Sequence, residues 1–155
     1  MQKSIYRIFF SLLFVFLSGC ITTNYGNFSE GDGFHNKKMV SDTVKQLAVL
    51  YPPAQTRFAF RQPTSDAFGS ALISALRSKG YAISEFDQEQ LGASKPMSAT
   101  NTKVKITEIP LNYIVDNIET NIYRITVITG NQSITRAYMV RNGNIFPAGA
   151  WVRKE

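Results

Sequence analysis

Cys20 is the chain's one thiol, and its surroundings suit covalent modification better than redox chemistry. It follows Leu17-Ser18-Gly19, an aliphatic residue and two small ones, at the end of a run from Ile8 to Leu17 in which only Ser11 is polar, with Lys3 and Arg7 upstream. A basic start, an apolar core and small residues before a cut form the layout of a secretion signal, here residues 1–19. As a helix the apolar run would rise ~15 Å, roughly half the hydrocarbon thickness, so a permanent membrane span is the weaker reading. The order of charge, core, small residues and cysteine is similar to the bacterial lipobox, in which the thiol accepts a diacylglycerol group. An ordinary cleaved signal with a chance cysteine beside the cut is the alternative. With no second cysteine an intrachain disulfide is excluded, and lipidation gives the odd thiol a job. The two acyl chains of a thioether-linked diacylglycerol plus an amide-linked third, as bacterial lipoproteins usually carry, anchor stably where one chain is marginal. Ile21, in place of an aspartate resembling an inner-membrane retention signal, points to the outer membrane and its periplasmic face.

The other chemistry-bearing residues do not converge. His35, the only histidine, sits beside Asn36 and Lys37 in polar sequence and reads as a solvated linker residue, not a general base or metal ligand. With Cys20 acylated, nitrogen and sulfur ligands for a metal are nearly exhausted, so no metal or cofactor is expected beyond the covalent lipid. Asp87 with Glu89, and Asp116 with Glu119, read as solvated loop charges, not as acid/base pairs. Gly31-Asp32-Gly33 lacks the preceding strand that a phosphate-binding loop needs. The expectation is a protein that is not an enzyme. Arg57 with Arg61, Lys103 with Lys105, and Arg153-Lys154 could mark a nucleic-acid footprint if clustered; charges that keep strand edges apart are the preferred reading.

The elements that must position any contact begin after the cut. Losing Lys3 and Arg7 removes two of the six net positive charges and leaves the mature part mildly basic and long enough for one domain. Residues 20–39 carry Tyr25, Phe28 and Phe34 among polar residues with no sustained period, and read either as a plain flexible tether or as a strip that orders on a partner. Residues 40–155 form the single domain. Ser41 and Asp42 predict a short helix start, with Val44, Leu47, Ala48 and Tyr51 at helical spacing until Pro52-Pro53. Thr56 to Arg61 alternates, placing Phe58 and Phe60 on one face. Thr64 or Ser65 can cap a second helix with stripe Phe68, Ala71, Leu72, Ala75 and Leu76, ended near Gly80, and Tyr81 to Phe86 resumes strand composition. Residues 87–101 read as an exposed loop. Strands follow at Thr102 to Ile109, where Pro110 suggests an edge or break, at Ile122 to Thr129, at Ser133 to Arg141 and at Ile145 to Val152, with hairpin chemistry at Gly130-Asn131 and Asn142-Gly143. The expected fold is α+β: a β-α-β unit followed by an antiparallel meander, giving a mostly antiparallel sheet with a helix on one face, preceded by a short helix. Phe146 and Trp151 flank Pro147 and Gly149, and this end reads either as an edge offered to a partner or as a terminal strand folded over the core.

Several segments together resemble the TrbH family of conjugal-transfer lipoproteins. They are Leu17-Ser18-Gly19-Cys20, Tyr25-Gly26-Asn27-Phe28, Gln46-Leu47-Ala48-Val49-Leu50-Tyr51-Pro52-Pro53-Ala54, Asp66-Ala67-Phe68-Gly69, Leu76-Arg77-Ser78-Lys79-Gly80-Tyr81 and Pro147-Ala148-Gly149-Ala150-Trp151. The resemblance implies a structural component of a type IV secretion apparatus that forms mating pairs and supports plasmid transfer. Its partners would be other subunits of the core complex, with a ring-forming oligomer as one arrangement. A general envelope assembly or maintenance lipoprotein, and a DNA-contacting transfer protein, are the alternatives.

Overall fold

The first helix is longer than its apolar spacing announces. In the computed structural model, which describes residues 24–29, 33–87 and 107–155, α1 spans Gly33–Leu50. Its buried side chains are His35, Asn36, Met39, Val40, Thr43, Val44 and Leu47, a stripe at helical spacing whose first members are polar. The expected start at Ser41 and Asp42, and the tether over residues 33–39, are therefore corrected: polar residues occupy core-facing slots where an apolar count sees no period. Pro52 and Pro53 then end the helix, as expected, through a short 3-10 turn at Pro53–Gln55.

Strand β2 (Thr56–Phe60) buries Phe58 and Phe60, and helix α2 (Ala67–Ser78) buries Phe68, Leu72, Ile73 and Leu76 against them. The α2 cap is Asp66, not Thr64 or Ser65; its carboxylate accepts from the Phe68 and Gly69 amides at 3.0 and 2.9 Å. The helix ends in a Schellman motif: Gly80, at φ +87°, donates its N–H to the Arg77 carbonyl, and the Tyr81 N–H reaches Leu76. Strand β3 (Ala82–Ser84) pairs parallel with β2, completing the β-α-β unit.

The long central strand β4 (Thr107–Glu119) pairs parallel with β2 and antiparallel with β5 (Ile122–Thr129), which pairs in turn with β6 (Gln132–Arg141). Pro110 neither breaks nor edges the sheet. Its carbonyl accepts from Gly130 just beyond the last β4–β5 pair, Leu111 with Thr129, so the missing N–H faces the turn where the ladder needs no donor. The hairpin into β7 (Asn144–Pro147) has Asn142 and Gly143 at φ 51° and 71°, the type I′ signature expected there. The last predicted strand divides at Pro147 and Gly149 into β7 and β8 (Val152–Lys154), both antiparallel to β6. A two-residue strand β1 (Gly26–Asn27) pairs parallel with Ile114 and Val115 of β4, so part of the expected tether is also built into the sheet.

The result is an α+β fold, whose described residues form a mixed, largely antiparallel sheet of eight strands in the order β3-β2-β4-β5-β6-β7 with β1 on β4 and β8 on β6. Both helices contribute to the core on one face, against Tyr113, Ile125, Val127 and Tyr138 of the strands. The signal segment, Cys20, Gly31-Asp32, Glu89, Lys103 and Lys105 lie outside the described residues.

Candidate contact surfaces

Two aspartates tie the helices to the sheet through buried tyrosines. Tyr113 donates its hydroxyl to Asp66, the α2 cap, and Tyr138 donates to Asp42 of α1 at 2.6 Å. Burial foremost, and then the neighbouring carboxylate, pushes both phenols well above the usual tyrosine value. Asp42 also accepts from Arg136 at 2.8 Å, and the guanidinium donates to the Gly149 carbonyl at 2.8 Å while facing the Trp151 ring at 5.8 Å. Asp42, expected near a helix start, thus lies mid-helix and fixes α1 on β6.

His35 is no solvated linker residue. It is buried in α1, its Nε2 lies 3.4 Å from the Gly143 carbonyl oxygen, and its ring tilts against Tyr123 with centroids 6.0 Å apart. It seats the α1 N-terminus on the β6–β7 hairpin. Asp116 is held by Arg124 across β4 and β5, with a carboxylate oxygen 3.1 Å from Nε. Among the described residues no three potential ligands converge on a metal position.

The sheet separates the aromatic residues expected to share a contact. Tyr25 and Phe28, 40% and 55% exposed, flank β1 at one edge. Phe146 and Trp151 lie beyond β6, roughly 19 Å away across four interstrand steps. Phe34 belongs to the first turn of α1. Trp151 is half-buried against the core, whereas Phe146 is 47% exposed with the Lys38 ammonium 4.9 Å above its ring. The terminal segment thus runs back along β6, with Trp151 against the core and Phe146 outward.

A surface that the sequence reading missed surrounds Phe146. Strand register sets Ile122 opposite Met139 and Met139 opposite Phe146, on the face away from the helices, with Ile118, 51% exposed, at the bulge of β4. Four large apolar side chains thus lie together at one end of the open face. The Asn142-Gly143 turn carried the signal, because a type I′ hairpin fixes which residues of β6 and β7 face each other.

Register places Arg124 and Arg141 on this face, each two residues along from Ile122 and Met139. Arg61, Arg77, Arg124, Arg136 and Arg153 each face a carboxylate, of Glu108, Glu85, Asp116, Asp42 and Glu155 respectively.

A family model described as conjugal transfer protein TrbH matches residues 22–155, all the described structure included. The chain belongs to the TrbH family. Its role is thereby in conjugal transfer, and family membership implies participation in a multi-subunit transfer complex. No match was found among curated proteins or among solved structures.

Proposed function

We propose that this TrbH-family chain is a lipid-anchored structural component of the mating-pair apparatus, a conjugative type IV secretion system, attached to the outer membrane through Cys20 and facing the periplasm. The observation that carries the contact role is the apolar row Ile122, Met139 and Phe146 with Ile118 at the adjoining bulge, in which Ile118 and Phe146 are exposed and the other two half-buried, on a sheet whose other face is committed to the core. An apolar row on a rigid frame holds its side chains in place before a partner arrives, which lowers the ordering cost of association. The lipobox sequence supports the anchor, and attachment beside the other core subunits raises their effective concentration for the domain.

The test has two arms in the cell that carries the transfer genes. Cys20→Ala should abolish incorporation of labelled palmitate, release the protein from the outer-membrane fraction and lower mating frequency. Phe146→Asp should lower mating while leaving fractionation and thermal unfolding unchanged, because it places a charge in a row that a partner would desolvate. Normal mating and core assembly after deletion of the whole gene would overturn the proposal.

A further inference from the structure

The two helices leave a groove between them on the side away from the sheet, with a volume of ≈ 610 Å³. Its floor is Val40 and Val44 of α1 with Ala71 and Ala75 of α2, and its rims carry serines and the lysines Lys37, Lys45 and Lys79. The Tyr81 hydroxyl donates to the Tyr51 carbonyl at 2.6 Å, so the helix C-termini meet and Lys45 and Lys79 stand at the same end. Among the described residues no carboxylate lines the groove. The arginine pairs described above engage their carboxylates elsewhere, and these three lysines have no ion-pair partner among the described residues.

We propose that this groove docks an acidic amphipathic helix from another subunit of the transfer apparatus. The inference rests on the reading that the chain works by contact within that apparatus, and adds a second surface with a partner chemistry of its own. Charge complementarity chooses the occupant. Lys37 and Lys45 are separated by ~12 Å along α1, a little over two helical turns, so a partner helix lying between the rims meets a cation at each end of that span. Ala71 and Ala75, one turn apart and small, leave room for the partner's larger apolar side chains. An anionic membrane surface is flat on this scale and would meet the lysine rims without entering the groove between them, where Ala71 and Ala75 stay partly accessible. The expected partner segment has small clusters of carboxylates flanking an apolar stripe at spacings of three and four residues.

The test uses the full chain in the donor cell. A benzoylphenylalanine in place of Ser74, on the groove rim, should cross-link on irradiation to a transfer subunit through an acidic helical segment; the same probe at Thr126, on the opposite sheet face, should not reach that segment. The triple variant Lys37→Glu, Lys45→Glu, Lys79→Glu should lose the adduct and lower mating roughly tenfold, with unfolding temperature and membrane fractionation as in the unmodified chain. Acidic-to-basic substitutions in the cross-linked segment should restore both. An adduct with phospholipid, with a second copy of this chain or with a segment lacking carboxylates would overturn the proposal, as would no adduct at all or full mating by the triple variant. Whole-gene deletion in the same strain separates the two readings: if deletion abolishes mating while the triple variant mates normally, the groove inference fails and the contact role stands.

Discussion

The bond between Tyr113 and Asp66 joins the centre of the sheet to the start of α2, and its removal gives a coupled loss of stability. Tyr113 is fully buried, and its hydroxyl meets the carboxylate that also caps Phe68 and Gly69. Tyr113→Phe deletes one hydrogen bond to a charged group, worth ~1.5–3 kcal/mol, and leaves the cap in place. Asp66→Ala removes the cap, ~1 kcal/mol, and strands the phenol without its acceptor at a further cost of ~1–3 kcal/mol. Both single variants lose the same bond, so the double variant should be less destabilised than their sum by ~1–2 kcal/mol. Urea and thermal unfolding of the four proteins measure this, each kcal/mol lowering the melting temperature by ~4–8 °C in a domain near 100 residues. Additivity within ~0.3 kcal/mol, or an unchanged Tyr113→Phe variant, would refute the assignment of this bond as the tie between helix and sheet.

Gly69→Ala should destabilise by ~1–3 kcal/mol in the same unfolding assay, because a Cβ there collides with the Tyr113 hydroxyl and comes 2.9 Å from the Thr64 Cα. Alkaline titration should show stability retained up to pH 10.0 and falling above it. The unfolded tyrosines lose their protons there while folded Tyr113 and Tyr138, with raised pKa values, keep theirs, so each steepens the loss by up to ~1.4 kcal/mol per pH unit and Tyr138→Phe should make it shallower. Arg136→Met should cost ~1.5–3 kcal/mol, because its side chain is 19% exposed and holds Asp42, whereas Arg124→Met, at 46% exposure, should cost under ~1 kcal/mol. Equal losses in the two arginine variants, read from urea midpoints, would show that burial of the Asp42 pair does not govern its strength.

How much of this was legible depended on whether core positions were apolar. Phe68, Leu72 and Leu76 spell out α2, and Gly80 marks its end, so that helix could be read directly. The α1 start could not, because His35 and Asn36 fill buried slots with polar side chains whose environment only the packed β6–β7 hairpin supplies. The cap of α2 is hidden for a similar reason: Thr64, Ser65 and Asp66 can all cap, and only Asp66 also meets Tyr113, far away in sequence. Pro110 misled because a proline's tolerance in a strand depends on which neighbour its missing donor would have faced. The sequence leaves Phe146 open between an offered edge and a strand folded over the core, and its neighbours Ile122 and Met139 join it only through strand register.

The sheet's margins constrain how such a protein can bind. One edge of β4 is occupied in three stages: by β2 over Thr107–Leu111, by the Gln62 side chain, which accepts from the Tyr113 N–H at 3.0 Å and donates to its carbonyl at 3.2 Å, and by β1 at Ile114 and Val115. The edge of β6 is divided likewise between β8 and β7, with the Ala148 N–H closing the gap at the Ala137 carbonyl. Among the described residues, what remains outermost is β1 with two residues, β3 and β8 with three each, and β7 with four. Strands so short present few backbone groups in line, which disfavours recruiting a partner by strand addition. Recognition is then left to side chains on rigid elements, the apolar row of the open sheet face and the lysine-rimmed groove of the helices, surfaces on opposite sides that two different neighbours can occupy at once.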